Sequence, residues 1–438
     1  MCLPLYIHLY FYIHYSFYSG AYNGVLFIIM ENWKKVFAII WTGQFLSILT
    51  STIVNFAVIL WISLETGSAE MLAWAAIAAL LPQAILGPLA GVFIDRWNRK
   101  LVMILADGFI ALCTFLMALL FYVEVAEMWH IFVLLGLRSV GSAFHMPAMQ
   151  ASVPLLAPQE QLARVAGIEQ IIFSAGNIAG PALGALFISI WEMEYVLLLD
   201  IAGAIVACLS LLCIHIPNPA KKEEQIRNVF REMKEGVGVV WKNRGLSWIF
   251  LFSILTTFFL MPVSVMFPLM TLNHFEGNTF QVSLVEVIWS VGALLGGAIM
   301  GLKVYRVNKV VLVNSMYIVL GLSFLFSGLL PSGGFVLFVL LTAVGGISGA
   351  VYNSSFTAIV QTNISPEALG RVFSMFYTVS LIPSMIGLIG IGFFADHLGL
   401  TTSFLVCGSI IVGIGIIAFS TPSAIRVDQR GGINKKGL

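Results

Sequence analysis

Twelve stretches of about twenty or more mostly apolar residues follow one another along this 438-residue chain. A helix needs roughly 20 such residues to cross the hydrocarbon core of a bilayer. The runs fall near 37–62, 71–94, 101–123, 130–152, 166–190, 195–216, 246–270, 280–302, 310–330, 334–360, 369–395 and 401–420. In lipid a backbone must satisfy its own hydrogen bonds, and a helix does so within one segment. The pattern therefore predicts an all-α polytopic membrane protein with twelve transmembrane helices. With 59% hydrophobic and 10% charged residues, the chain lacks the material for a water-facing surface.

The cations orient the spans. Of 22 Lys and Arg, 21 precede span one, fall in the even-to-odd loops, or close the tail. Lys34 and Lys35 come first, Arg96, Arg99 and Lys100 follow span two, and seven lie between Lys221 and Arg244. The odd-to-even loops hold none. By the positive-inside rule both termini are cytoplasmic, in a bacterial inner membrane. Losing or adding one span would scramble this segregation, so it supports the count as well. The remaining cation, Arg138, lies inside span four.

Residues 1–29 carry no charge and lack the basic start of a signal peptide; Met30 reads as a natural start after an N-terminal extension. Residues 30–216 form a six-span N-terminal half, 246–420 a second half, and 421–438 a cytoplasmic tail. The linker, 217–245, repeats apolar residues at three and four from Ile226 to Trp241, the pattern of an amphipathic helix at the membrane surface. The halves are related. Gly87, Gly91, Arg96, Asn98 and Arg99 match Gly297, Gly301, Arg306, Asn308 and Lys309 at an offset of 210. Ala143, Glu160, Leu162, Arg164 and Val165 match Ala350, Glu367, Leu369, Arg371 and Val372 at 207. Duplicated halves are the build of secondary transporters, with substrate bound near midplane and access alternating by rocking.

Between spans two and three stands Gly91-Val-Phe-Ile-Asp95-Arg96-Trp-Asn-Arg99-Lys100. It resembles the cytoplasmic loop signature of the major facilitator superfamily, G-x-x-x-D-R-x-x-R-[KR]. Gly91 allows close helix approach, and Asp95 can cap the next helix or accept from Arg96 and Arg99, together forming a cytoplasmic gate. Span five carries Gly176-Asn-Ile-Ala-Gly180-Pro181-Ala-Leu-Gly184, similar to the antiporter motif of the superfamily's drug exporters. Its small residues at four-residue spacing make a flat face, and Pro181 removes a donor and bends the helix. That face is expected to seat against span eight at Gly292, Gly296 and Gly297.

Ionisable residues inside spans are costly and mark function. Arg138 is near midplane and should meet a wet cavity or a carboxylate. Glu286, at a similar depth in span eight, is the first candidate for proton coupling; the acidic candidates to face Arg138 are Asp107, Glu169, Asp200 and Glu286. Asp200 and Asp107 follow; for them structural hydrogen bonding is the competing reading, because the superfamily fold makes spans three and six peripheral. An apolar substrate cavity is expected from Trp41, Phe45, Phe56, Phe258, Phe259, Met261 and Met266, soft and adaptable side chains on spans one and seven.

Runs such as Arg138-Ser-Val-Gly-Ser-Ala-Phe-His145, Phe267-Pro-Leu269 and Leu369-Gly-Arg-Val-Phe-Ser374 resemble the macrolide-efflux (Mef-type) branch of the superfamily. That resemblance implies export of a macrolide-type antibiotic or similar drug by proton antiport. Export of a siderophore or other metabolite, or uptake by symport, are the alternatives. No nucleotide loop, H-E-x-x-H or metal-spaced Cys and His cluster occurs, so a transporter and not an enzyme is expected. It should need no cofactor or metal, bind no nucleic acid, and work as a monomer in contact with lipid, its partners a small molecule and protons.

Overall fold

The computed structural model describes residues 3–94, 97–156, 162–214, 216, 237–302, 308–364 and 366–433. Its elements are helices throughout, and twelve of the described helices are long and apolar enough to cross a membrane. They are α1 (Leu3–Thr66), α2 (Ala69–Ile94), α3 (Arg99–Tyr122), α4 (Met128–Leu156), α5 (Leu162–Ile190) and α6 (Met193–Leu212), then α7 (Arg244–Val265), α8 (Thr279–Leu302), α9 (Lys309–Leu329), α10 (Phe335–Asn363), α11 (Pro366–Leu398) and α12 (Leu400–Phe419). A shorter helix, α13 (Pro422–Ile433), closes the described chain. In α1 the membrane-crossing part is Trp33–Thr66.

The two halves are packed alike. In the first, α1 lies against α5 and α6, α2 against α4, and α3 against α4 and α6. Adding six to each label gives the second: α7 against α11 and α12, α8 against α10, and α9 against α10 and α12. The repeat extends to helix ends. Asn98 accepts from the Leu101 amide at 3.1 Å and caps α3; Asn308 accepts from Val310 at 2.9 Å and caps α9. Both satisfy amides that a helix start leaves without partners. The cap of α3 is thus Asn98, where Asp95 was a candidate; Asp95 and Arg96 lie outside the described residues. So does most of the expected amphipathic linker, of which 237–241 is described and helical.

Interiors of the halves differ in chemistry. In the second, Phe267 lies within 6.2 Å of Trp289, Phe324, Phe338 and Phe404, centroid to centroid. Its helices also cross on glycines. A Cβ on Gly408 of α12 would sit 2.5 Å from Leu325 N and 2.7 Å from Gly321 O of α9, and one on Gly321 would sit 2.8 Å from Gly408 O. Without a hydrophobic drive between helices in lipid, such backbone approach is a principal source of packing energy. The first half instead encloses charge.

Candidate functional site

Four helices of the first half bring polar groups to one buried point. Arg138 of α4 is 6% exposed and Asp200 of α6 is 1% exposed, and Arg138 Nη1 lies 2.7 Å from Asp200 Oδ2. Thr114 of α3 donates to the same carboxylate oxygen at 2.8 Å and accepts from Arg138. Ser51 of α1 donates to Asp200 Oδ1 at 2.5 Å. One turn along α1, Asn55 accepts from Arg138 Nη2 at 3.4 Å and is itself exposed. The array therefore reaches from the interior of the half to an accessible surface.

A charge pair in low dielectric persists only when its remaining donors and acceptors are also satisfied. Here both carboxylate oxygens accept hydroxyls, so the ionised pair is supported. Of the acidic candidates, the one that pairs with Arg138 is Asp200 and not Glu286, because α6 packs on α1 and α3 and presents Asp200 inside the same half. Two turns further along α3 and α4, at residues 107 and 145, a second pair forms. Asp107 Oδ1 lies 3.2 Å from His145 Nε2, with both side chains buried. His145, Ser51, Thr114 and Asn55 were not picked out as site residues from sequence.

Glu286 sits in the first third of α8 and is half-buried. No hydrogen bond or ion pair to it occurs among the described residues. Its helix forms one of two seams between the halves, α5 with α8 and α2 with α11. In the first seam, Ser290 Oγ donates to Asn177 O at 3.3 Å, and Phe56, Leu60 and Ala185 pack on Val282. In the second, Ala73 and Ile77 meet Met385 and Leu388.

The flat face of α5 finds a different neighbour from the one expected. A Cβ on Gly180 would lie 2.7 Å from Thr52 Oγ1, and one on Gly184 2.8 Å from Phe56 Cδ1, both on α1. Gly176 also looks at α1, 3.4 Å from Ile48 Cγ2. Gly292 and Gly296 face Ala343 and Ile347 of α10, and a Cβ on Gly297 would meet open space. The small residues of α5 and α8 are thus spent inside each half. Pro181 lies inside α5 without ending it.

The expected cavity residues divide. Trp41 stacks on Phe37 at 4.2 Å and is 3% exposed, Phe56 is buried in the α5–α8 seam, and Met266 is fully buried; these three are packing residues. Phe45, Phe258, Phe259 and Met261 are half-buried. Phe258 closes on Gly387 of α11, while Phe259 lines an apolar crevice with Phe394, Leu398 and Val406, which are exposed. Of the loop signature, Gly91 lies within α2. Arg99 donates to Ala151 O at 2.5 Å, and Lys100 donates to Ile214 O at 2.6 Å and Leu212 O at 3.2 Å beyond the end of α6. Both tie α3 to its own half.

Comparison with known proteins completes the description. A family model described as Major Facilitator Superfamily matches residues 40–382. Macrolide efflux protein A of Streptococcus pyogenes is 38% identical over 389 residues, 88% of this chain and 96% of that protein. Macrolide efflux protein A of Enterococcus faecalis is 37% identical over 324 residues, 74% of this chain and all of that protein. Among solved structures, a bacterial homolog of the human lysosomal transporter Spinster, inward-facing and unoccupied, superposes with a TM-score of 0.65 at 14% identity, covering 91% of this chain and 97% of that one.

Proposed function

The chain belongs to the major facilitator superfamily, and from that premise we propose that it exports a macrolide-type antibiotic or similar amphiphilic drug, driven by protons entering the cell. The observation that carries the substrate class is the likeness to macrolide efflux protein A over 88% of the chain. The cytoplasmic side is the one with the basic loops, by the positive-inside rule. Among the described residues, contacts across the α2–α11 seam run along residues 68–84 and 381–396, and those across the α5–α8 seam join Asn177 and Ala185 to Ser290 and Val282, away from those loops. That favours an inward-facing state, closed outside and open toward the cytoplasm.

In this reading a drug enters between the halves from the inside. The Arg138–Asp200 array sets the charge of one wall, and Glu286 on the opposite half carries the proton. Glu286 takes up a proton from the outer side and hands it on when the halves reopen toward the cytoplasm. The antiport is tested in everted vesicles by adding erythromycin and following both drug uptake and the proton gradient. Glu286→Gln is expected to bind erythromycin normally yet lose the dependence of uptake on the pH gradient. Unchanged gradient dependence would remove Glu286 as the coupling group.

Topology is tested separately. In a cysteine-free background, single cysteines introduced at Val125 and Ser332 should react with an impermeant thiol reagent in intact cells, and one at Lys242 only after lysis. Reaction at Lys242 in intact cells would sink the orientation.

A further inference from the structure

We infer that Asp396 is the latch that holds the two halves together at the end opposite the basic loops, by capping a helix that belongs to the other half. Asp396 lies in the last turn of α11. Its Oδ1 accepts from the Ala69 amide at 2.8 Å, and its Oδ2 accepts from the Glu70 amide at 3.1 Å and the Ser68 hydroxyl at 2.6 Å. Ser68 Oγ in turn accepts from the Met71 amide at 3.3 Å. The amides of Ala69, Glu70 and Met71 are the first of α2, which a helix cannot satisfy from within. One carboxylate from the second half therefore supplies the acceptors for two of these amides and holds the Ser68 hydroxyl that serves the third.

The location of this carboxylate is unfavourable for its own helix. A negative charge in the last turn of α11 opposes that helix's dipole, whereas at the first turn of α2 the same charge is favoured. Asp396 is thus costly where it is anchored and stabilising where it points, so its energy depends on how the halves are arranged. The backbones approach closely enough to allow it: a Cβ on Gly392, one turn earlier, would lie 3.2 Å from Ala69 O and 3.1 Å from Ala73 Cβ. Asn273 adds a contact at 3.5 Å to Gly67 O, in the turn just before α2. Asp396 is exposed, so water can replace its partners when this end opens. The contact biases the equilibrium between states and does not lock it.

This inference deepens the transport reading and rests on the halves rocking, but its test needs no drug and no proton gradient. Ala73→Cys with Gly392→Cys, in a background free of other cysteines, places two thiols across the seam at about disulfide range. Crosslinking under mild oxidant then reports how often this end is closed. Adding Asp396→Ala should slow crosslinking by about fivefold, and Asp396→Asn, which keeps one acceptor, by about twofold, as expected for loss and weakening of a cap. Spin labels at Val125 and Ser332, in different halves at the same end, should gain a longer-distance population in the same order. If Asp396→Ala fails to fold, Ser68→Ala removes one of the three contacts from the other side and should show the smaller effect. Equal rates and distances in all folded variants would overturn the latch. Normal erythromycin export alongside equal rates would overturn it while leaving the transport reading standing, and slowed crosslinking without erythromycin transport would do the reverse.

Discussion

Replacing Arg138 with alanine is expected to abolish erythromycin export and to destabilise the purified protein by about 3–5 kcal/mol, the usual cost of stranding one member of a buried pair. The stranded group is Asp200, 1% exposed and held by Ser51 and Thr114. These hydroxyls satisfy its oxygens but cannot neutralise its charge. Asp200→Asn strands Arg138 in turn and should cost a comparable amount, since the amide keeps the contact with Ser51 but not the charge. Arg138→Met combined with Asp200→Leu removes both charges at once and should recover most of the stability, because an apolar pair of similar volume is often tolerated in place of a buried ion pair. Export should not return with it. Thermal unfolding and drug transport measured on the same three preparations separate the roles. If the double variant exports normally, the pair serves folding alone.

The second large effect concerns the crossing of α9 and α12. Gly408→Val should leave little folded protein, since its Cβ would come within 2.5 Å of Leu325 N and 2.7 Å of Gly321 O. Neither is the movable tip of a side chain. Relief requires the helices to separate, and overpacking of this kind costs about 1–3 kcal/mol or more. Gly413→Ala, five residues along the same helix, meets nothing within 4 Å and should be neutral or slightly stabilising, because alanine is the better helix former by about 0.5–1 kcal/mol. Comparable losses of melting temperature in the two variants would show that helix propensity, not contact, decides at α12.

Much of the architecture was legible because lipid imposes a length and a charge rule on every span. The runs expected near 101–123 and 334–360 appear as Arg99–Tyr122 and Phe335–Asn363. The repeat at an offset of 210 marked Asn98 and Asn308, which cap corresponding helices. Burial of Arg138 was also legible, since a lone cation in an apolar run must be sheltered. Its partner was not. Choosing between Asp200 and Glu286 requires knowing which face each helix turns inward, and all-apolar spans carry little amphipathic signal to tell. The same blindness put the glycines of α5 against α8 when they face α1. Asp396 gave no sign at all, because its purpose depends on amides 327 residues earlier.

That separation has a consequence for how the molecule is made. The Arg138–Asp200 pair closes over 62 residues within one half, so it is complete once α6 has left the ribosome. Ala69 must wait for Asp396, and at roughly 5–20 residues per second that wait is on the order of half a minute. During it the first half is already electrically settled, while in the leading turn of α2 the Ala69 and Glu70 amides have only water and Met71 has Ser68. The α2–α11 seam therefore joins long after the ion pair, and a nascent chain arrested before α11 should hold its ion pair and still lack that closure.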